Sequence, residues 1–261
     1  MFFSKLDPAL RSALEAAVSG PVFLPGTPGC TAEVAGRRFP AFARPAAVVG
    51  ATCAEDVAFA VRVANLHGVP AALFAPGSRG RLRGAGGIVL TTSRMTEVTV
   101  DSDAGTVRIG AGALWADVVA EAGRYGLSPL GDAAAADAAR ASTSTAVALA
   151  TAGSLGALGR ALGFDADRVR GFEVVTGDGR FLHVDAASDP ELLAALLAGK
   201  AGRTIVTEVT ISLVAIAGAE PARNPWAAED ADEVLRRWVA ESAGVRVPAR
   251  SGARTRELLR R

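Results

Sequence analysis

The sequence predicts an α+β fold, and three observations predict it. Half of the 261 residues are apolar and 21% are charged, the composition of a soluble globular chain with enough apolar surface for a sizeable core. Residues 46–92 read as strand, helix, strand, strand, the order of a small α/β layer. Residues 96–213 read instead as hairpins with interspersed helices, which calls for a mostly antiparallel second lobe.

The elements follow in order. Asp7 before Pro8 is an N-cap with proline at the first helical position, and a helix to about Val18 follows as a short N-terminal appendage. Pro21 to Pro45 is rich in Pro and Gly without a sustained period, so an extended loop is expected there. Ala46 to Ala51 is a short apolar run. Thr52 is the expected cap of the next helix, with Glu55 and Asp56 in its first turn and Val57, Ala60, Val61 and Ala64 at helical spacing.

Val69 to Ala75 and Ile88 to Thr92 are strand-like and are joined by the glycine-rich crossing Pro76 to Gly87. Val98 to Asp101 and Thr106 to Ile109 form a hairpin, and Leu114 to Tyr125 a helix. Gly177-Asp178-Gly179 is a turn between the strands Arg170 to Thr176 and Arg180 to Asp185. Asp189-Pro190 opens another helix, and Thr204 to Leu213 is a long β-branched strand. Beyond it a helix from about Glu229 to Glu241 and a basic tail are expected.

Composition excludes several functions. A net charge of +1 gives no basic footprint for nucleic acid or anionic lipid. Cys30, Cys53, His67 and His183 are the only cysteines and histidines, too few for a disulfide framework and without zinc-ligand spacing. No metal is expected, and both histidines read as structural. Neither a G-x-S-x-G elbow nor a phosphate-binding G-x-x-x-x-G-K-[ST] loop occurs. Lys5, Asp7, Arg11 and Glu15 interrupt any apolar leader. The uncharged stretch Ala141 to Gly159 is built of small residues that suit buried backbone rather than a membrane span. A cytoplasmic location, with no nucleic-acid or membrane partner, is the expectation.

Three glycine-containing segments are candidates for a site. Gly110-Ala111-Gly112 sits between strand and helix, but Trp115 occupies the third glycine position of a dinucleotide fingerprint, so a structural role is expected. Ala75-Pro76-Gly77-Ser78-Arg79-Gly80 crosses between two strands and could form an anion-binding nest, with Arg79, Arg81 and Arg83 at hand; an arginine-rich surface loop is the plainer reading. Ser142-Thr143-Ser144-Thr145 through Gly153-Ser154-Leu155-Gly156 offers hydroxyls and close backbone approach, suited either to the wall of a dry cavity or to a buried loop.

Taken in order, these pieces resemble the PCMH-type FAD-binding domain of the vanillyl-alcohol oxidase and p-cresol methylhydroxylase superfamily, nearest its berberine-bridge-enzyme-like members. The matching segments are Arg44 to Val49, His67-Gly68-Val69-Pro70, Gly86 to Met95, Gly110 to Val118, Tyr125-Gly126-Leu127, Glu173 to Arg180 and Ile205 to Val209. The resemblance implies two α/β lobes, about 44–95 and 96–213, a leading segment 1–43, and a remnant or start of a substrate domain over 214–261. It also implies FAD, with Pro76, Gly77, Ser78, Arg79 and Gly80 at the pyrophosphate. Gly131, Ser142, Thr143, Thr145, Val147, Gly153 and Ser154 would line the ribityl and isoalloxazine, and Ile205 and Val206 would give backbone contacts.

The departures carry information too. Arg79 stands where the family has its covalent histidine and Ala141 where bicovalent members have a cysteine, so the flavin is expected to be noncovalent. Ala146, Ala148 and Ala152 replace glycines, and each added methyl holds backbone away from a ligand. Relatives continue for about as many residues again, so the chain is either a fragment or a reduced member. No catalytic residue is assigned; Tyr125, the only tyrosine, falls at a helix end. The expected function is oxidation of a small or secondary-metabolite substrate by hydride transfer to FAD, with a second polypeptide or a homo-oligomer completing the substrate site. The rival is a fold kept without redox activity, serving as a non-redox cyclase, isomerase or binding scaffold.

Overall fold

A computed structural model describes residues 8–34, 45–74, 86–129, 165–198, 200 and 202–215. The chain opens with α1 (Pro8–Ala17), whose Leu10 and Leu14 are buried. Strand β1 (Val22–Phe23) and helix α2 (Pro28–Glu33) come next. Then follow β2 (Ala47–Gly50), α3 (Ala54–Leu66), β3 (Ala71–Phe74) and β4 (Ile88–Thr91). These strands form a four-stranded sheet in the order β1-β2-β4-β3. Strands β2 and β3 both run parallel to β4, while β1 is antiparallel to β2.

All four residues of β2 and of β4 are buried, as parallel strands covered on both faces must be. Strand alternation divides them between two layers. Val48 and Val89 pack with Cys30, Val34 and Phe74. Ala47, Val49, Ile88 and Leu90 pack with α1 and α3 through Leu10, Leu14, Val57, Ala60, Val61 and Ala64.

Three expectations for the first lobe are corrected. Over its described part, up to Val34, the segment after α1 is not an extended loop. Thr27 caps α2 by accepting from the Cys30 N–H, Pro28 fits the first turn, and β1 adds an edge strand to the sheet. Nor is α1 an appendage, because its buried leucines belong to the lobe core. The join is Asp56 in the first turn of α3, which accepts from the N–H groups of Ser19 (2.6 Å), Gly20 (3.1 Å) and Thr52 (2.9 Å) and from the Thr52 hydroxyl (2.7 Å). Burial pushes this carboxyl up, but those donors outweigh it and hold it below the usual range. Cys53, not Thr52, is the residue that precedes α3, and it makes no side-chain cap bond.

The second lobe contains β5 (Val98–Asp101), β6 (Thr106–Gly110), α4 (Trp115–Gly123), β7 (Leu127–Ser128), β8 (Val169–Val175), β9 (Phe181–Asp185), α5 (Pro190–Leu197), β10 (Ile205–Ser212) and β11 (Val214–Ala215). Its five-stranded sheet has the order β5-β6-β10-β8-β9, antiparallel throughout. Strands β7 and β11 pair separately. Val107, Ile109, Phe172, Val174, Val184, Val209 and Ile211 form one face, covered by Trp115, Val118 and Ala122 of α4 and Leu196 of α5. Asp189 caps α5 by accepting from the Leu192 N–H. The parallel lobe followed by the antiparallel lobe, with the predicted helices between strands, is the architecture expected. The helix expected over 229–241 lies outside the described residues.

Candidate functional site

In open parallel sheets a ligand lies beyond the carboxyl ends of the strands, where the connecting loops diverge. Here those ends are Gly50, Phe74 and Thr91, with Ala51 to Ala54 and Thr92 to Glu97 leaving β2 and β4. The candidate pyrophosphate residues Pro76, Gly77, Ser78, Arg79 and Gly80 follow β3 in sequence but lie outside the described residues. So do Gly131, Ser142, Thr143, Thr145, Val147, Gly153 and Ser154.

Ile205 and Val206 are described, and they mark the junction of the two lobes. Ile205 packs with the parallel lobe and Val206 against the antiparallel lobe. They pair with Val175 and Val174, and the register shifts between Val206 and Glu208. The strand thus passes from one core to the other at the two residues the sequence marks.

The turn after β4 is clasped by the turn after β6. Gly110 N–H donates to Glu97 O (2.8 Å) and Gly112 N–H to Met95 O (2.9 Å). A Cβ on Gly110 would fall 2.3 Å from Met95 O, and one on Gly112 2.0 Å from Thr92 O. The Gly-Ala-Gly segment is therefore glycine because backbone meets backbone, as its structural reading anticipates.

Among the described residues, the buried side-chain atoms without a hydrogen-bond partner are Thr92 Oγ1 and Trp115 Nε1, in residues 1% and 3% exposed. Sequence reasoning did not single out Thr92, and it named Trp115 only as the residue that breaks a dinucleotide fingerprint. Buried donors normally find partners, and leaving one unmade costs about 1–3 kcal/mol. An orphaned hydroxyl at the carboxyl end of a parallel strand is the kind of group a polar cofactor satisfies, so the described residues fit a flavin nucleotide at this end of the sheet.

A cleft of about 710 Å³ lies at the loops leaving β2 and β4, between Thr52 to Ala54, Arg94 to Glu97 and the polar face of the antiparallel sheet. On that face Arg108 makes a two-pronged bond to Glu208 at 2.9 and 3.1 Å. His183 bridges Glu173 through Nδ1 (2.6 Å) and Asp185 through Nε2 (3.2 Å). Above it, Arg94 forks onto Glu33 at 3.0 and 2.7 Å, and the Thr91 hydroxyl donates to the same carboxylate. Cys53 lines the cleft, and burial and the neighbouring Glu55 and Asp56 carboxylates raise its thiol, which disfavours the thiolate. Tyr125 is exposed just beyond α4.

His183 is thus an exposed strand residue bound by carboxylates. The Glu173 bond raises its pKa, offset in part by desolvation and reinforced by Asp185, whose own carboxyl is held down to about 2 chiefly by Ser188. A raised folded-state pKa stabilises below the unfolded value and is lost as pH rises through the folded value. His183→Gln is expected to lower the Tm at about pH 6 and to leave it unchanged above roughly pH 8. Thermal unfolding of both proteins across that range checks this; a Tm difference independent of pH would refute it.

A parallel α/β lobe joined through clasped turns to a five-stranded antiparallel lobe defines the two-lobed flavin-binding class. The sequence pattern of the family described as FAD binding domain matches residues 45–185. The chain belongs to this family, and its fold is that of the PCMH-type, berberine-bridge-enzyme-like oxidoreductases.

The chain is 31% identical over 173 residues to FAD-dependent monooxygenase FUP4 of Fusarium proliferatum (strain ET1), covering 65% of this chain and 32% of that protein. It is 28% identical over 179 residues to (R)-6-hydroxynicotine oxidase of Paenarthrobacter nicotinovorans, covering 65% and 36%. The crystal structure of 6-hydroxy-D-nicotine oxidase from Arthrobacter nicotinovorans superposes with a TM-score of 0.65 at 25% identity, covering 82% of this chain and 44% of that one. The wild-type BBE-like 1 of Physcomitrella patens superposes with a TM-score of 0.65 at 22% identity, over 78% and 44%. The chain spans about a third of the length of the curated relatives it matches. Among the described residues no helix is long and apolar enough to cross a membrane.

Proposed function

We propose that this chain holds FAD noncovalently and forms the cofactor-binding part of an oxidoreductase acting on a small, secondary-metabolite substrate. The observation that carries this reading is the lobe junction, where Ile205 and Val206 pass from one core to the other. Bound FAD would supply the hydride acceptor. The protein's part is to bind and orient it. Pro76, Gly77, Ser78, Arg79 and Gly80, following β3, would hold the pyrophosphate, the last four through backbone N–H groups and Arg79 also through its guanidinium, with Pro76 shaping the turn. Gly131, Ser142, Thr143, Thr145, Val147, Gly153 and Ser154 would line the ribityl and ring system, and the backbone of Ile205 and Val206 would close the junction side.

Two substitutions support noncovalent attachment, because Arg79 and Ala141 offer neither an imidazole nor a thiol at the two attachment positions. We propose that a second polypeptide or another copy of the chain completes the substrate site; no catalytic base is assigned.

The test is the visible spectrum of the purified protein after incubation with excess FAD and gel filtration. A retained flavin band that is released in full on denaturation is expected. Flavin that stays with the denatured chain would overturn noncovalent attachment, and a colourless protein would overturn FAD binding. The second outcome is what the non-redox scaffold predicts, a reading favoured by Ala146, Ala148 and Ala152 in place of close-approach glycines.

A further inference from the structure

We propose that the Thr92 hydroxyl is a direct polar contact for the bound flavin nucleotide, a role that rests on the FAD reading above. Thr92 follows the last residue of β4. Val89 packs in the layer beside α2, and the Thr91 hydroxyl donates to Glu33 on that same side. Ile88 and Leu90 face the opposite layer. By strand alternation Thr92 continues the Ile88–Leu90 face, the face whose cluster also contains Met95, Val175 and Ile205. It therefore stands where that apolar layer ends, at the carboxyl end of β4.

Its hydroxyl is buried and has no partner. A valine would fill the same space without the penalty, so a threonine here places a polar atom where an apolar one packs as well. Trp115 Nε1 is a second buried, unpartnered donor, three residues beyond the Gly112 that touches Thr92 O. Two orphaned donors flank the clasp that joins the lobes. A nucleotide rich in oxygen acceptors, seated at the carboxyl ends of β3 and β4, satisfies a donor there.

The experiment compares wild type, Thr92→Val and Thr92→Ser in two measurements: thermal unfolding of each apoprotein, and FAD titration followed by flavin fluorescence. If the hydroxyl serves the cofactor, Thr92→Val raises the apoprotein Tm while weakening FAD about tenfold, and Thr92→Ser restores the affinity. A Thr92→Val protein with unchanged FAD affinity overturns the proposal. So does a lowered apoprotein Tm at unchanged affinity, which would assign the hydroxyl to an internal water. If wild type itself binds no FAD, the FAD reading falls and this contact with it; loss of binding confined to Thr92→Val leaves that reading standing.

Discussion

Gly112→Ala is expected to destabilise the chain by about 3 kcal/mol, at the upper end of what overpacking costs. The new methyl would lie 2.0 Å from Thr92 O and 2.9 Å from the Ser93 carbonyl carbon. Both are backbone, so no side chain can swing aside; the turn after β4 must move, and with it the hydrogen bond from Gly112 N–H to Met95 O. The comparison is Gly123→Ala in α4, where a Cβ meets nothing within 4 Å. That change should stabilise by about 0.5 kcal/mol through helix propensity. Denaturant unfolding of the two variants checks the pair. Equal effects would mean that the close approach at the lobe clasp is relieved at no cost.

Arg94→Met is expected to cost about 3 kcal/mol, because it strands the Glu33 carboxylate inside the first lobe. The Glu33 side chain is 3% exposed and the Arg94 side chain 43%. Without the guanidinium, Glu33 keeps only the Thr91 hydroxyl among its described partners. The reverse change is milder. Glu33→Gln leaves a guanidinium that already reaches solvent and lies 5.8 Å over the Phe23 ring, so about 1 kcal/mol is expected. The double variant Glu33→Gln with Arg94→Met should therefore fall well short of the sum of the singles. Unfolding midpoints of the four proteins give that coupling, and strict additivity would show that the pair contributes nothing as a unit.

Legibility in the sequence followed the range of the interactions. The helix at Asp189-Pro190, the turn at Gly177 to Gly179 and the hairpin around Ser102 to Gly105 were readable because capping, turn chemistry and alternation act within a few residues. The Pro- and Gly-rich stretch before Pro45 misled for a related reason. A two-residue strand and a six-residue helix carry no period long enough to see, and they persist because β2 and the first-lobe core receive them. Glu33 had no local signature either, since its partners Thr91 and Arg94 lie 58 and 61 residues away.

The sequence by itself determined the α+β class, the order of parallel lobe and antiparallel lobe, and the family resemblance, because each is written in short-range pattern and in the order of motifs. Tertiary structure alone decided that Ile205 and Val206 straddle the two cores, that Gly110 and Gly112 clasp the turn after β4, and that Thr92 keeps a buried hydroxyl without a partner. Those facts depend on which segments the fold packs together, and proximity between segments that are not neighbours in the chain leaves no periodic trace in the residues it joins.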